Sequence, residues 1–331
     1  MDKDSTPPKI ALRDFQSVVK KDLEEFSHHF KEAVKVEHGL LNMVVRYFLR
    51  QKGKRIRPLL VLLTAKTCGG VRERSYRAAA LVELLHTATL VHDDVVDESE
   101  KRRGVFSINA LWGNKVAVLL GDYFLSRGLL LALDHDDFDL LRVLSNAVKR
   151  MSEGELRQVQ RARSMDVDEA SYYKIISDKT ASLISACTRC GALSADADPE
   201  SLQSMGEFGE QLGLAFQIRD DLFDYGTQEV GKPTGADIQK KLVTLPLIHA
   251  LEVADSSDRQ RILNIIRKGR KSRQNRQTIY EFVESTGGLL YAQQRMEEHV
   301  KSAQSLLRSF PESESRRAMH ALSQYVITRK K

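Results

Sequence analysis

Apolar residues recur at helical spacing along almost the whole chain. Leu40, Leu41, Val44, Val45 and Phe48 follow the i, i+3, i+4 rule until a charged KGKR run interrupts them. Pro58 opens PLLVLLTAK, which predicts a helix that Gly69-Gly70 ends. Arg74 to Glu98 reads as one long helix with its stripe at Ala78, Leu81, Leu84, Leu85, Ala88 and Val91. Segments 105–133, 138–162, 169–195 and 200–225 continue the pattern. Shorter amphipathic helices follow Pro246, broken near Arg267–Arg276 and at Gly287-Gly288. Strand alternation is confined to short ambiguous runs, and there is no fixed-period repeat and no linker long enough to separate domains. The pattern predicts one all-α domain over residues 1–331, with helices wrapped around a central bundle and residues 1–9 disordered.

Composition supports that picture. The chain has 331 residues, 42% apolar, too rich for a disordered polymer and enough for a large core. Its 7 prolines leave a gap from Pro58 to Pro199, whereas a sheet-rich domain of that size needs many Pro/Gly turns. The N-terminus, MDKDSTPPKIALRDF, lacks the apolar segment of a secretory signal. The longest uncharged run, Gly104 to Asn114, is 11 residues, well short of a membrane span. Cys68, Cys187 and Cys190 cannot build a disulfide framework. The single Cys187-x-x-Cys190 pair, with no second pair or histidine at ligand spacing, reads as two small helix residues against a core. A reduced, cytoplasmic compartment is expected.

The net charge of +6 suggests a polyanionic partner, and the motifs narrow which kind. Asp93, Asp94 and Asp97 form one Asp-Asp-x-x-Asp set, and Asp220, Asp221 and Asp224 form a second. Carboxylates one helical turn apart repel, so two such sets on apolar helices need a compensating cation. Hard oxygen donors of this kind suit Mg²⁺, which is commonly shared with substrate phosphates. Matching cations are present: Gly53-Lys54-Arg55-Ile56-Arg57-Pro58 at a helix entry, Arg102 and Arg103, Lys179-Thr180, and Lys232 within GKPTG. His86 lies two turns before Asp93 on nearly the same face. A third acidic group, Asp134, Asp136, Asp137 and Asp139, falls between helical patterns and reads as a loop and helix start.

The runs GKRIRP, LLHTATLVHDDVVDESEKRRG, GDYFLSR, LAFQIRDDLFDYG and GKPTGAD, in this order and spacing, resemble the trans-isoprenyl diphosphate synthases of the long-chain polyprenyl type. The resemblance is close from Gly53 to His249 and looser in the flanks. It implies an all-α orthogonal bundle around a deep central cavity, usually a homodimer. It implies that the six aspartates hold Mg²⁺, three ions per site with diphosphate bound. Lys54, Arg57, His86 and Arg103 would grip isopentenyl diphosphate. Arg102, Lys179, Thr180, Gln217 and Lys232 would contact the allylic diphosphate, geranyl or farnesyl. Lys240-Lys241-Leu242 departs from the family's Glu-Gly-Lys, so Leu242 stands where a lysine is expected. The implied reaction is ionisation, condensation and elimination, with the released diphosphate as base. Ala88 and Thr89, small residues ~7 Å along the helix from Asp93, leave the tunnel unplugged and predict a product of about C30 to C50. So greasy a product would be released through peripheral membrane contact.

Three other readings compete. A terpene cyclase would not need GKRIRP, His86 and Arg102-Arg103. A His-Asp phosphohydrolase built on His92-Asp93 leaves the second acidic motif unexplained. A non-catalytic or nucleic-acid-binding helical protein would rely on Arg267–Arg276, which lacks interleaved aromatics, so no nucleic-acid partner is expected.

Overall fold

Helix starts follow local chemistry in the computed structural model, which describes residues 12–51, 53–102, 104–164, 168–225, 242–268 and 273–328. The expectations for residues 1–9, Arg103, Lys232, Lys240 and Lys241 lie outside the described residues. Ser107 caps α6 (Ile108–Leu133) by accepting from the Ala110 amide, and Asp168 caps α8 (Glu169–Ile176) by accepting from the Ser171 amide. Asp198 caps α10 (Pro199–Asp224), with Pro199 in its first turn.

The remaining helices before α10 are α1 (Leu12–Val18), α2 (Lys20–Ala33), α3 (Gly39–Arg50), α4 (Ile56–Cys68), α5 (Glu73–Val96), α7 (Phe138–Ser164) and α9 (Ser182–Ser194). After it come α11 (Leu245–Val253), α12 (Ser256–Lys268), α13 (Arg273–Ser285), α14 (Gly288–Leu306) and α15 (Glu314–Thr328). The fold is all-α. Its only sheet among the described residues is a hairpin pairing β1 (Lys101–Arg102) with β2 (Val105–Phe106).

Several boundaries differ from the sequence pattern for identifiable reasons. α4 begins two residues before Pro58, after Arg55 in a left-handed conformation, because proline fits the first helical turn. α5 stops at Val96, and Glu98 is left-handed, so the chain turns into the hairpin. The single helix expected over 169–195 is interrupted by a π-turn, Ser177–Ala181, between α8 and α9.

Helices α4, α5, α9 and α10 form the centre. α5 packs on α6, α4 on α9, and α10 on both α9 and α14. One core cluster draws residues from Phe15 through Val326. Pro58 through Ala65 are all buried, which explains an apolar run with no polar face.

Glycine sets how closely α10 approaches its neighbours. A Cβ on Gly209 would lie 2.6 Å from the Ser185 Cα, and one on Gly213 would lie 2.5 Å from the Ala181 Cα. The missing side chains therefore let α10 lie close against α9 and bring the C-terminal turn of α10 beside the π-turn. Cys187 and Cys190 sit fully buried on α9, where burial pushes the Cys187 thiol up to about 12. That is the packing role expected of them.

Candidate active site

Both aspartate motifs lie in the C-terminal turns of long helices, where the helix dipole already disfavours negative charge. Asp93 and Asp94 occupy the last turn of α5 and Asp97 is its C-cap, whereas Asp220, Asp221 and Asp224 end α10. The cost of crowding carboxylates there is met by specific donors. Asp94 is buried and takes a forked contact from Arg102, with Nε at 2.8 Å from both carboxylate oxygens and Nη2 at 2.7 Å from one. The β-hairpin holds Arg102 in that place, and Asn109 ties the end of α5 down by donating to the Asp94 and Ser99 carbonyls at 3.3 and 3.2 Å.

On α10, Asp221 is buried and accepts from the Tyr172 hydroxyl at 2.7 Å and from Gln217 Nε2 at 2.8 Å. Gln217 Oε1 in turn accepts from the Thr180 hydroxyl at 2.7 Å. Lys179, adjacent to Thr180 in the π-turn, reaches the other way: its Nζ lies 2.7 Å from Glu155 and 3.3 Å from Gln158 on α7. The Asp93 carboxyl is held above its ordinary range, first by partial withdrawal from water and then by Glu155 and Asp97, against the opposing charges of Lys179 and Arg102. Lys179-Thr180 therefore stands between the two acidic motifs.

The π-turn itself is clamped. Asp178 is fully buried, with Arg150 Nε at 3.0 Å, Lys174 Nζ at 3.0 Å and Arg157 on its second oxygen. Arg150 also pairs with Glu210 on α10 at 3.0 Å. Gly154 on α7 leaves room for this segment, since a Cβ there would meet the Lys179 amide nitrogen at 2.9 Å.

The structure thus brings together Asp93, Asp94, Arg102, Lys179, Thr180, Gln217 and Asp221 through one network of bonds and charges. His86 is buried on α5, and its carbonyl accepts from the Thr89 hydroxyl at 2.8 Å. Ala88 is buried in the core cluster. Lys54 is exposed before α4, and Arg57 acts electrostatically on Cys187, which places it on the α9 side. His92 turns to α6, with Nε2 3.2 Å from the Val118 carbonyl and 3.4 Å from Asp122, so it is not aimed at the acidic cluster. The third acidic group serves structure: Asp137 is buried and binds Arg74 at 2.9 Å and Arg77 at 2.8 Å, just before α7.

Sequence reasoning missed Glu155, Gln158 and Tyr172. Only the spacing Glu155-x-x-Gln158, one turn apart beside Gly154, carried a signal, and it becomes meaningful once α7 is laid against the π-turn.

Among the described residues no three His, Cys, Asp or Glu side chains converge into a closed metal cage. The donor set still fits Mg²⁺, which binds through one or two carboxylates plus waters and substrate phosphates instead of an all-protein shell.

These features coincide with a known family. The profile of the Polyprenyl synthetase family matches residues 38–283. The octaprenyl diphosphate synthase of Escherichia coli is 33% identical over 320 residues, covering 96% of this chain and 99% of that protein. The crystal structure of a decaprenyl diphosphate synthase from Rhodobacter capsulatus superposes with a TM-score of 0.91 at 33% identity, over 97% of this chain and 100% of that one. A polyprenyl synthase from Caulobacter crescentus, complexed with calcium and isoprenyl diphosphate, gives a TM-score of 0.88 at 28% identity, over 97% and 98% of the two chains.

The chain belongs to the polyprenyl synthetase family. It is a prenyltransferase. The family is Mg²⁺-dependent and uses isopentenyl and allylic diphosphates.

Proposed function

We propose that the chain extends geranyl or farnesyl diphosphate with isopentenyl diphosphate to a product of about C30 to C50, the length that small residues ~7 Å below Asp93 allow. The observation that carries the site reading is Lys179-Thr180, one residue bonded toward Glu155 and the Asp93 side, the next bonded through Gln217 to Asp221. A diphosphate between the two acidic turns would meet Lys179 and Thr180 directly, with Arg102 and Lys232 as further contacts. Lys54, Arg57, His86 and Arg103 are assigned to isopentenyl diphosphate.

The carboxylates Asp93, Asp94, Asp97, Asp220, Asp221 and Asp224 would hold up to three Mg²⁺, which neutralise the leaving diphosphate. Lys179 donates to the same oxygens, so negative charge that develops as the allylic C–O bond breaks falls on fixed donors. The π electrons of isopentenyl diphosphate then form the new bond at C1, and the departing diphosphate, held in place, accepts the proton that is lost. Apolar side chains around the site would keep water from the carbocation.

Alanine at Asp93 or Asp220 is expected to lower kcat by at least about a thousandfold while the circular dichroism spectrum and Tm stay near wild type. Retained turnover in either variant would remove the aspartates from the site.

The same reading includes a homodimer. Val118, Leu119, Leu129, Leu130 and Leu133 are exposed on α6 beyond the kink at Gly113 and recur at near-whole-turn spacing. An apolar face of this size on a soluble surface favours a second copy. Cytoplasmic residence, with membrane contact only at product release, completes the proposal.

A further inference from the structure

A cavity of ≈130 Å³ opens beside the second aspartate motif. Lys179, Gln217, Asp221, Tyr172 and Arg161 line it, and Leu242 borders it from the start of the segment leading to α11. Arg161 lies three residues after Gln158, hence on the same face of α7 one turn on. Gln158 is itself held against Lys179 at 3.3 Å.

The guanidinium is anchored as well as near. Arg161 Nη2 donates to the carbonyl of Asp168, the N-cap of α8, at 3.1 Å. Arg161 and Tyr172 border the same cavity. Tyr172 is the group that donates to Asp221 at 2.7 Å. Among apolar neighbours such as Ile175, Ile176 and Val243, the cavity gathers a carboxylate, two amides, two hydroxyls and two cations, a polar set that suits a metal-bridged anion.

We infer that Arg161 is a diphosphate-binding residue of the allylic site in this chain, supplying from α7 the second cation beside Lys179 while the wall at Leu242 is apolar. A guanidinium fork can engage two phosphate oxygens at once, which a leucine at 242 cannot. The inference rests on the placement of the allylic diphosphate at Lys179 and Thr180.

Steady-state kinetics on the full-length enzyme tests it, varying farnesyl diphosphate and isopentenyl diphosphate separately. Arg161→Gln is expected to raise KM for farnesyl diphosphate about tenfold or more and leave KM for isopentenyl diphosphate within twofold. Adding Leu242→Lys to Arg161→Gln is expected to recover most of that loss, because the new ammonium borders the same cavity. An unchanged KM for farnesyl diphosphate in Arg161→Gln overturns the inference. So does a rise in both KM values with a lowered Tm, which marks Arg161 as a tether of α8 only. Lys179→Ala, run in parallel, separates the two levels. If it raises KM for farnesyl diphosphate and Arg161→Gln does not, only Arg161 is misassigned; if neither does, the allylic site itself is misplaced.

Discussion

Asp93 and Asp94 are adjacent in the chain and have opposite surroundings. Asp94 is buried under the fork of Arg102, whereas Asp93 sits among Glu155, Asp97 and Lys179 with its carboxyl held above the ordinary range, chiefly by loss of water. Besides its proposed metal role, Asp94 fastens the end of α5 to the hairpin, while Asp93 faces the cluster where metal and diphosphate are proposed. Spacing alone made all six aspartates legible, because like charges on an apolar helix are costly without a partner. It could not divide their labour, since Arg102, Tyr172 and Gln217 reach them from separate stretches of the chain. Ala88 belongs to the same scale. Substituting Phe for Ala88 is expected to shift the products several isoprene units shorter, read by thin-layer or mass analysis of the dephosphorylated alcohols. An unchanged distribution in a variant with near-native Tm would remove Ala88 from the tunnel wall.

At the scale of elements, helix periodicity located α3 to α7 and α10 to within a few residues and read α8 and α9 as one helix, because each buries a stripe against the centre. The π-turn was invisible to that pattern. One extra residue per turn barely disturbs the apolar spacing, and its signature lies in its partners: Asp178 inside Arg150, Arg157 and Lys174, and Gly154 beneath Lys179. Burial raises the Asp178 pKa, but Arg150 and Lys174 outweigh it, and the carboxyl is held below 3.8. A depressed carboxylate contributes stability above its unfolded pKa and loses it as pH falls through the folded value. Asp178→Asn is therefore expected to destabilise the protein by about 3 kcal/mol at pH 7, as breaking a buried ion pair does. The deficit should shrink as pH falls below about 4, toward the folded pKa. Urea melts of both proteins at pH 7 and in acid check this, and an equal deficit at both would show that the charge pairing contributes nothing.

For the whole molecule, the informative surface is α6. Isolated Lys115, Asp122 and Arg127 keep any uncharged run short, yet the helix as a whole is long and apolar enough, by length and composition, to cross a membrane. Some of that apolar character packs on α5, where Gly121 and Gly128 admit His92 and Leu81, and the rest is exposed. Charge-run counting missed it because an amphipathic face hides between sparse charges. Leu119→Glu with Leu130→Glu is expected to convert a dimer to a monomer in sedimentation equilibrium; a wild-type protein that sediments as a monomer contradicts the assignment of this face.

The net charge of +6 finds its meaning at this scale too: cations from the π-turn and the hairpin act on the first acidic helix end, the setting for a small polyanion bridged by metal. The most telling assay is extension of farnesyl diphosphate by radiolabelled isopentenyl diphosphate, with and without Mg²⁺, the products resolved by chain length. Label is expected in all-trans products of about C30 to C50 only when Mg²⁺ is present, as the carboxylate donor set requires. No Mg²⁺-dependent extension with either geranyl or farnesyl primer, or products that stop near C20, would contradict the proposed long-chain synthesis.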